Sequence, residues 1–132
     1  MEEKIEQLRE RGRMGIINTR EDAIKLIRGF EKEENESNIH LGLAGSFSRN
    51  THDSESDIDI VVEYETETDD IVFFSKRLKA YIERMTDRNY DIIWLNQLKR
   101  QDEEQRQLMS TLGIIDEQSA YKTILRDVIW IA

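Results

Sequence analysis

Residues 57–62 read Asp-Ile-Asp-Ile-Val-Val, and this alternation constrains the fold more than any other stretch of the chain. Side chains two apart on a strand share a face, so Ile58, Ile60 and Val62 point into a core while Asp57 and Asp59 point away from it. The Cα atoms of the two aspartates would then lie about 6.6–7 Å apart. Two like charges on one face of a short strand repel, and folding alone favours uncharged residues there. A divalent metal ion is the natural compensation, because hard cations take carboxylate oxygens.

The elements on either side follow from periodicity. Residues 39–44, Ile-His-Leu-Gly-Leu-Ala, form a short apolar run suited to a buried strand, followed by a loop over 45–56 rich in Ser, Asn, Asp and Thr. Upstream, Thr19-Arg20-Glu21-Asp22 has the form of a capping box and opens a helix whose Ala23, Ile24, Ile27 and Phe30 share one face. Downstream, Ile71, Phe74, Leu78, Tyr81, Ile82 and Met85 make the stripe of a helix over 70–87. A third strand is expected over 90–95, a polar helix over 96–112 broken by Gly113, and a closing helix over 116–131 bearing Tyr121, Leu125, Val128 and Ile129. Residues 1–13 read as a short exposed helix. The order predicts an α/β (α+β) fold with helices packed on a small sheet. It is expected as a single domain over 1–132, with a core at about 20–95 and a helical C-terminal segment at 96–132.

Bulk properties exclude several function classes. A net charge of −9 opposes general nucleic-acid binding, which depends on Lys and Arg at phosphates. It leaves a nucleotide substrate open, since a bound divalent cation can supply local positive charge. No apolar run approaches the roughly 20 residues of a membrane helix, and the N-terminus is too charged for a secretory signal. The absence of cysteine removes disulfides and thiolate metal sites. A cytoplasmic protein is the expectation.

Gly45-Ser46 directly follows the first strand, with ten residues between Ser46 and Asp57. A glycine there permits a tight turn and close approach of backbone to a ligand. A short helix beginning near Ser46 would present free N–H groups to an anion. A triphosphate would thus be cradled by Gly45 and Ser46, with metal bridging it to Asp57 and Asp59 in the manner of two-metal phosphoryl chemistry. Four such residues at this spacing arise by accident in a chain this long with probability on the order of 10⁻³. A third carboxylate, Asp91, starts the apolar strand Tyr90-Asp91-Ile92-Ile93-Trp94. If that strand lies beside the Asp57–Asp59 strand, Asp91 joins as a further ligand and helps deprotonate an acceptor hydroxyl.

These residues resemble the signature of the DNA-polymerase-beta-like nucleotidyltransferases, in particular the minimal nucleotidyltransferases (MNT): Gly-Ser, ten residues, then Asp-x-Asp. The match is carried by Gly45, Ser46, Asp57 and Asp59, with Asp91 in the place of the third acidic residue. The resemblance implies a mixed sheet flanked by helices, Mg²⁺ as cofactor, ATP or another NTP as donor, and pyrophosphate as product. It also implies an antitoxin role toward a HEPN ribonuclease toxin, silenced by adenylylation of a tyrosine. The toxin's Arg-x₄₋₆-His motif is absent here, so such a partner would be a separate chain and the assembly a hetero-oligomer. The family often reads Gly-Ser-x-Ala-Arg-Gly. This chain keeps Arg49, a candidate phosphate contact, but has Ser48 for Ala and Asn50 for Gly. Asn tolerates the left-handed backbone better than most residues.

Blander readings stand beside these. Asp57 and Asp59 could be a solvated strand end, Asp91 an exposed first residue, Gly45-Ser46 an ordinary turn, and Arg49 a surface charge. His40 and His52 read as bystanders, residues 63–70 as a solvated acidic face, and Trp94, Trp130 and the Phe73–Phe74 pair as core. An exposed Trp130 would instead belong to an oligomer or toxin interface. Two alternative functions remain at this stage. One is a small-molecule transferase of the aminoglycoside type, for which the roughly 37 residues after Leu95 are short. The other is a non-catalytic protein that neutralises a toxin by contact.

Overall fold

In the computed structural model, residues 16–34, 38–66, 70–114 and 119–131 are described. Their elements run α1 (Arg20–Glu34), β1 (Ile39–Ala44), α2 (Gly45–Arg49), β2 (Ile58–Tyr64), α3 (Asp70–Met85), β3 (Tyr90–Trp94), α4 (Leu95–Thr111), α5 (Ala120–Asp127) and β4 (Ile129–Trp130). The fold is mixed α/β, with a four-stranded mixed sheet in the order β3-β2-β1-β4 and five helices among the described residues. β1 pairs antiparallel with β2 and β4, and β2 pairs parallel with β3. The helix expected over residues 1–13 lies outside the described residues.

The capping box forms as expected. The Thr19 hydroxyl accepts from the Asp22 N–H at 3.0 Å, and the Asp22 carboxylate accepts from the Asn18 and Thr19 N–H groups at 3.1 Å. Those bonds hold the Asp22 carboxyl below its ordinary pKa, the Asn18 N–H contributing most. α1 then buries Ala23, Leu26, Ile27 and Phe30, and α3 buries Phe74, Leu78, Tyr81 and Ile82. Both helices join Ile39, Leu41, Leu43, Ile58, Ile60, Val62 and Tyr64 in one large core. Phe30 is its aromatic hub, meeting Phe74 edge-on at 5.4 Å and Tyr81 at 5.2 Å.

The opposite face of the sheet carries a much smaller core. Ala44, Val61 and Leu95 are buried there, with Ile93, Tyr121, Ile124 and Val128 packed against them. Both faces of β2 are therefore covered along its middle, and only the end where it starts is left to the aspartates.

Several expectations are corrected. The third strand stops at Trp94, where Leu95 begins α4. Asn96 explains the stop: its side chain accepts from the Tyr64 N–H at 3.0 Å and donates to the Tyr64 carbonyl at 2.8 Å. It thus takes the pairing role a further strand residue would have filled. The expected closing helix ends at Asp127; Val128 is extended, Ile129 and Trp130 form β4, and the Ile131 N–H just after it donates to the Leu41 carbonyl. Ile124 rather than Leu125 packs inward, Phe73 is exposed beside buried Phe74, and Trp130 is 42% exposed. Among the described residues, no helix is long and apolar enough to cross a membrane.

Candidate active site

At the end of β1 the chain turns directly into α2, a five-residue helix that replaces the first part of the expected loop. Ala44 is its N-cap residue and has no side chain to cap with, so its first-turn N–H groups have no such acceptor. Gly45 makes the turn at φ 69°, where an L side chain is strained. A Cβ at Gly45 would also overlap the Asp59 carboxylate. The missing side chain is what lets the turn lie directly against that carboxylate.

The two departures from the resembling pattern find their physical reasons here. Ser48 is buried, and its hydroxyl donates to the Gly45 carbonyl at 2.8 Å, so its polarity is satisfied within the turn. Asn50 adopts φ 60° and ψ 34°, the left-handed geometry a glycine would take, and closes α2 through its N–H to Phe47 O.

Register brings the carboxylates to one end of the sheet. Ala44 lies opposite Asp59, and Asp59 lies opposite Asp91 on the parallel neighbour β3. Asp57 stands two residues before Asp59, just ahead of β2, and both Asp57 and Asp91 are exposed while Asp59 is half-buried. Burial raises the Asp59 pKa above its ordinary value, with Asp91 and then Asp57 pushing it further and Arg49 pulling it back. Three of the predicted charged residues, Asp91, Asp57 and Arg49, therefore act on the fourth, Asp59. Arg49 itself donates to Asp127 of α5 at 3.0 Å, which ties α2 to the last helix.

Among the described residues, no three His, Asp or Glu side chains stand close enough to hold a metal ion. Asp57, Asp59 and Asp91 are neighbours by register and by field and do not form a closed ligand set. Their chemistry fits a hard divalent cation all the same. All their donors are carboxylate oxygens, and the most buried of them is destabilised by two like charges with no hydrogen-bond donor on it among the described residues.

The loop between Ser46 and Asp57 is held by residues that sequence reasoning missed. Phe47 is fully buried, and the His52 ring stacks on it at 4.1 Å and 8°. The His52 Nε2–H donates to the Asn18 carbonyl, which can only accept. His52 thus ties the loop to Phe47 and to the segment before α1. Arg88, in the turn between α3 and β3, donates from Nη1 to the Ser56 carbonyl at 2.8 Å and to the Asp53 carbonyl at 3.2 Å. Nothing in the sequence marks it, since it lies about thirty residues from the carbonyls it binds. An open cleft of about 480 Å³, lined by Asp57, Glu83, Thr86, Asp87, Arg88, Asn89 and Tyr90, runs beside this turn.

The family model described as nucleotidyltransferase domain matches residues 24–130, and the chain belongs to that family. No curated protein matches the chain. The match spans every strand of the sheet and all of α2, α3, α4 and α5.

Proposed function

We propose that this nucleotidyltransferase moves AMP from ATP onto a tyrosine hydroxyl of a HEPN-type toxin and so acts as an antitoxin. The observation that carries the chemical part is the pairing of Asp59 with Asp91 on parallel strands while the Gly45 turn packs on the Asp59 carboxylate. Ser46 and the uncapped N–H groups of α2 are the triphosphate cradle. Asp57, Asp59 and Asp91 would hold Mg²⁺, which when bound neutralises the triphosphate and polarises the phosphorus under attack. Asp91 is exposed and takes the proton of the acceptor hydroxyl. The freed oxygen bonds to the α-phosphorus, the bond to the β-phosphate oxygen breaks, and pyrophosphate leaves. Arg49 lowers the field at Asp59 and would reach a phosphate on release from Asp127.

A protein acceptor draws its support from apolar side chains exposed on the C-terminal segment. α4 and α5 pack on each other and leave Leu108, Leu112 and Leu125 exposed, and Ile114 and Trp130 are exposed nearby in sequence. The resemblance to minimal nucleotidyltransferases is the ground for naming a HEPN toxin and an antitoxin role in the cytoplasm.

Incubating the protein with labelled ATP, Mg²⁺ and a HEPN protein encoded beside it tests the reading. Label should appear on a tyrosine of the partner and vanish with Asp57→Asn. Label on neither protein would overturn it. Protection of cells by Asp57→Asn equal to the parent's would instead assign the antitoxin effect to contact alone.

A further inference from the structure

We propose that Arg88 is the positioning residue that sets the Gly45-Ser46 cradle at its distance from Asp57. This rests on the nucleotidyl-transfer reading of the site. Asp57 is bracketed on both sides by the α3–β3 turn. Before it, the Ser56 carbonyl accepts from Arg88 Nη1 at 2.8 Å; after it, the Ile58 N–H donates to the Asn89 carbonyl at 3.0 Å. The same guanidinium lies 5.1 Å from the centroid of the Phe47 ring, and Phe47 directly follows Ser46. One side chain therefore touches the residue after the cradle serine and the residue before the first acidic one.

The surroundings make the clasp stiff. Nη1 also reaches the Asp53 carbonyl at 3.2 Å and the Ser54 carbonyl at 3.5 Å. Asp53 organises that turn from within, accepting from the Glu55 N–H at 2.9 Å and the Ser56 hydroxyl at 3.2 Å. The Arg88 backbone is pinned in turn, its N–H donating to the Thr86 hydroxyl at 3.2 Å. Phe47 has the His52 ring stacked on it, so it is held as well. A planar guanidinium can stack on a ring and fork to several carbonyls together, whereas a lysine ammonium is a point charge that cannot. The short loop has ten residues between Ser46 and Asp57, and Arg88 is what converts it from a tether into a spacer.

Misplacing reacting groups by about 1 Å costs on the order of 10²-fold in rate. With ATP, Mg²⁺ and the HEPN protein as acceptor, Arg88→Ala should therefore lower kcat by roughly 10- to 100-fold and leave KM for ATP within about 3-fold. Arg88→Lys should stay low, and guanidinium ion at millimolar concentration should restore turnover to Arg88→Ala but not to Asp59→Asn. A kcat within about 2-fold of the parent's, or a raised KM with kcat intact, overturns the proposal.

Hydrogen exchange separates this from failure of the functional reading. If the parent transfers no label, the reading fails, and exchange at the Thr51 and Ile58 amides still decides what Arg88 does. Those amides bond Ser46 O and Asn89 O, and they should exchange at least about 10-fold faster in Arg88→Ala, or in Arg88→Lys should the alanine variant not fold. Unchanged exchange overturns the positioning role.

Discussion

Asp59 is half-buried beside two other carboxylates, and burial together with Asp91 and Asp57 raises its pKa. The folded state therefore holds a proton on Asp59 more tightly than the unfolded chain does. Stability from the protonated form is fully present below the ordinary carboxylate range and is lost as pH rises through the raised value, so ionised Asp59 costs stability at neutral pH. Asp59→Asn is expected to raise Tm by a few degrees at pH 7, with the difference closing toward about pH 4, measured by thermal melts across that range. The same variant should lose nucleotidyl transfer by about 10²–10³-fold. Gly45 makes the complementary case. Gly45→Ala combines a left-handed backbone with overlap on the Asp59 carboxylate, and should cost on the order of 2 kcal/mol in a urea titration. At this scale the candidate residues are legible in the sequence because a strand's two-residue period and a Gly-Ser turn are local properties. The state of Asp59 is not, because its field comes from Asp91, 32 residues away in the chain.

α1 and α3 meet through Gly29 and Tyr81. The Tyr81 hydroxyl is buried and donates to the Leu26 carbonyl at 2.8 Å, and a Cβ at Gly29 would overlap that hydroxyl. An exposed helical Gly→Ala ordinarily gains about 1 kcal/mol. Here Gly29→Ala should instead destabilise by about 1–3 kcal/mol, while Gly29→Ala with Tyr81→Phe should be better than the sum of its parts by at least about 1 kcal/mol in a double-mutant cycle. Periodicity found both helices, because their buried stripes repeat at 3.6 residues. It could not find this contact, which depends on how two helices lie across the same sheet. β4 was hidden for a related reason. Two residues carry no period, and Ile129 and Trp130 are a strand only because β1 offers them an edge.

Across the whole molecule the sheet divides two unequal tasks between its faces. The α1–α3 face holds the large core; the α4–α5 face holds a small one that stops short of the carboxylates. Like charge is left concentrated at that end, so a bound cation and triphosphate should stabilise the entire fold by mass action. At a hundred times Kd the gain is about 2.7 kcal/mol. Mg²⁺ with ATP is therefore expected to raise Tm by several degrees in a melt, EDTA should reverse it, and Asp57→Asn should abolish it. The sequence by itself determined the alternating strand, its apolar partner strand and the two amphipathic helices, and it offered Gly45, Ser46, Asp57, Asp59 and Asp91 as candidates. The elements are written in the local period of their own residues. Tertiary structure alone decided that Asp59 faces Asp91, that Arg49 answers to Asp127, and that Arg88 clasps the loop before Asp57. Those pairings join residues brought together only by the sheet's parallel crossover and the packing of its helices, and no local pattern records them.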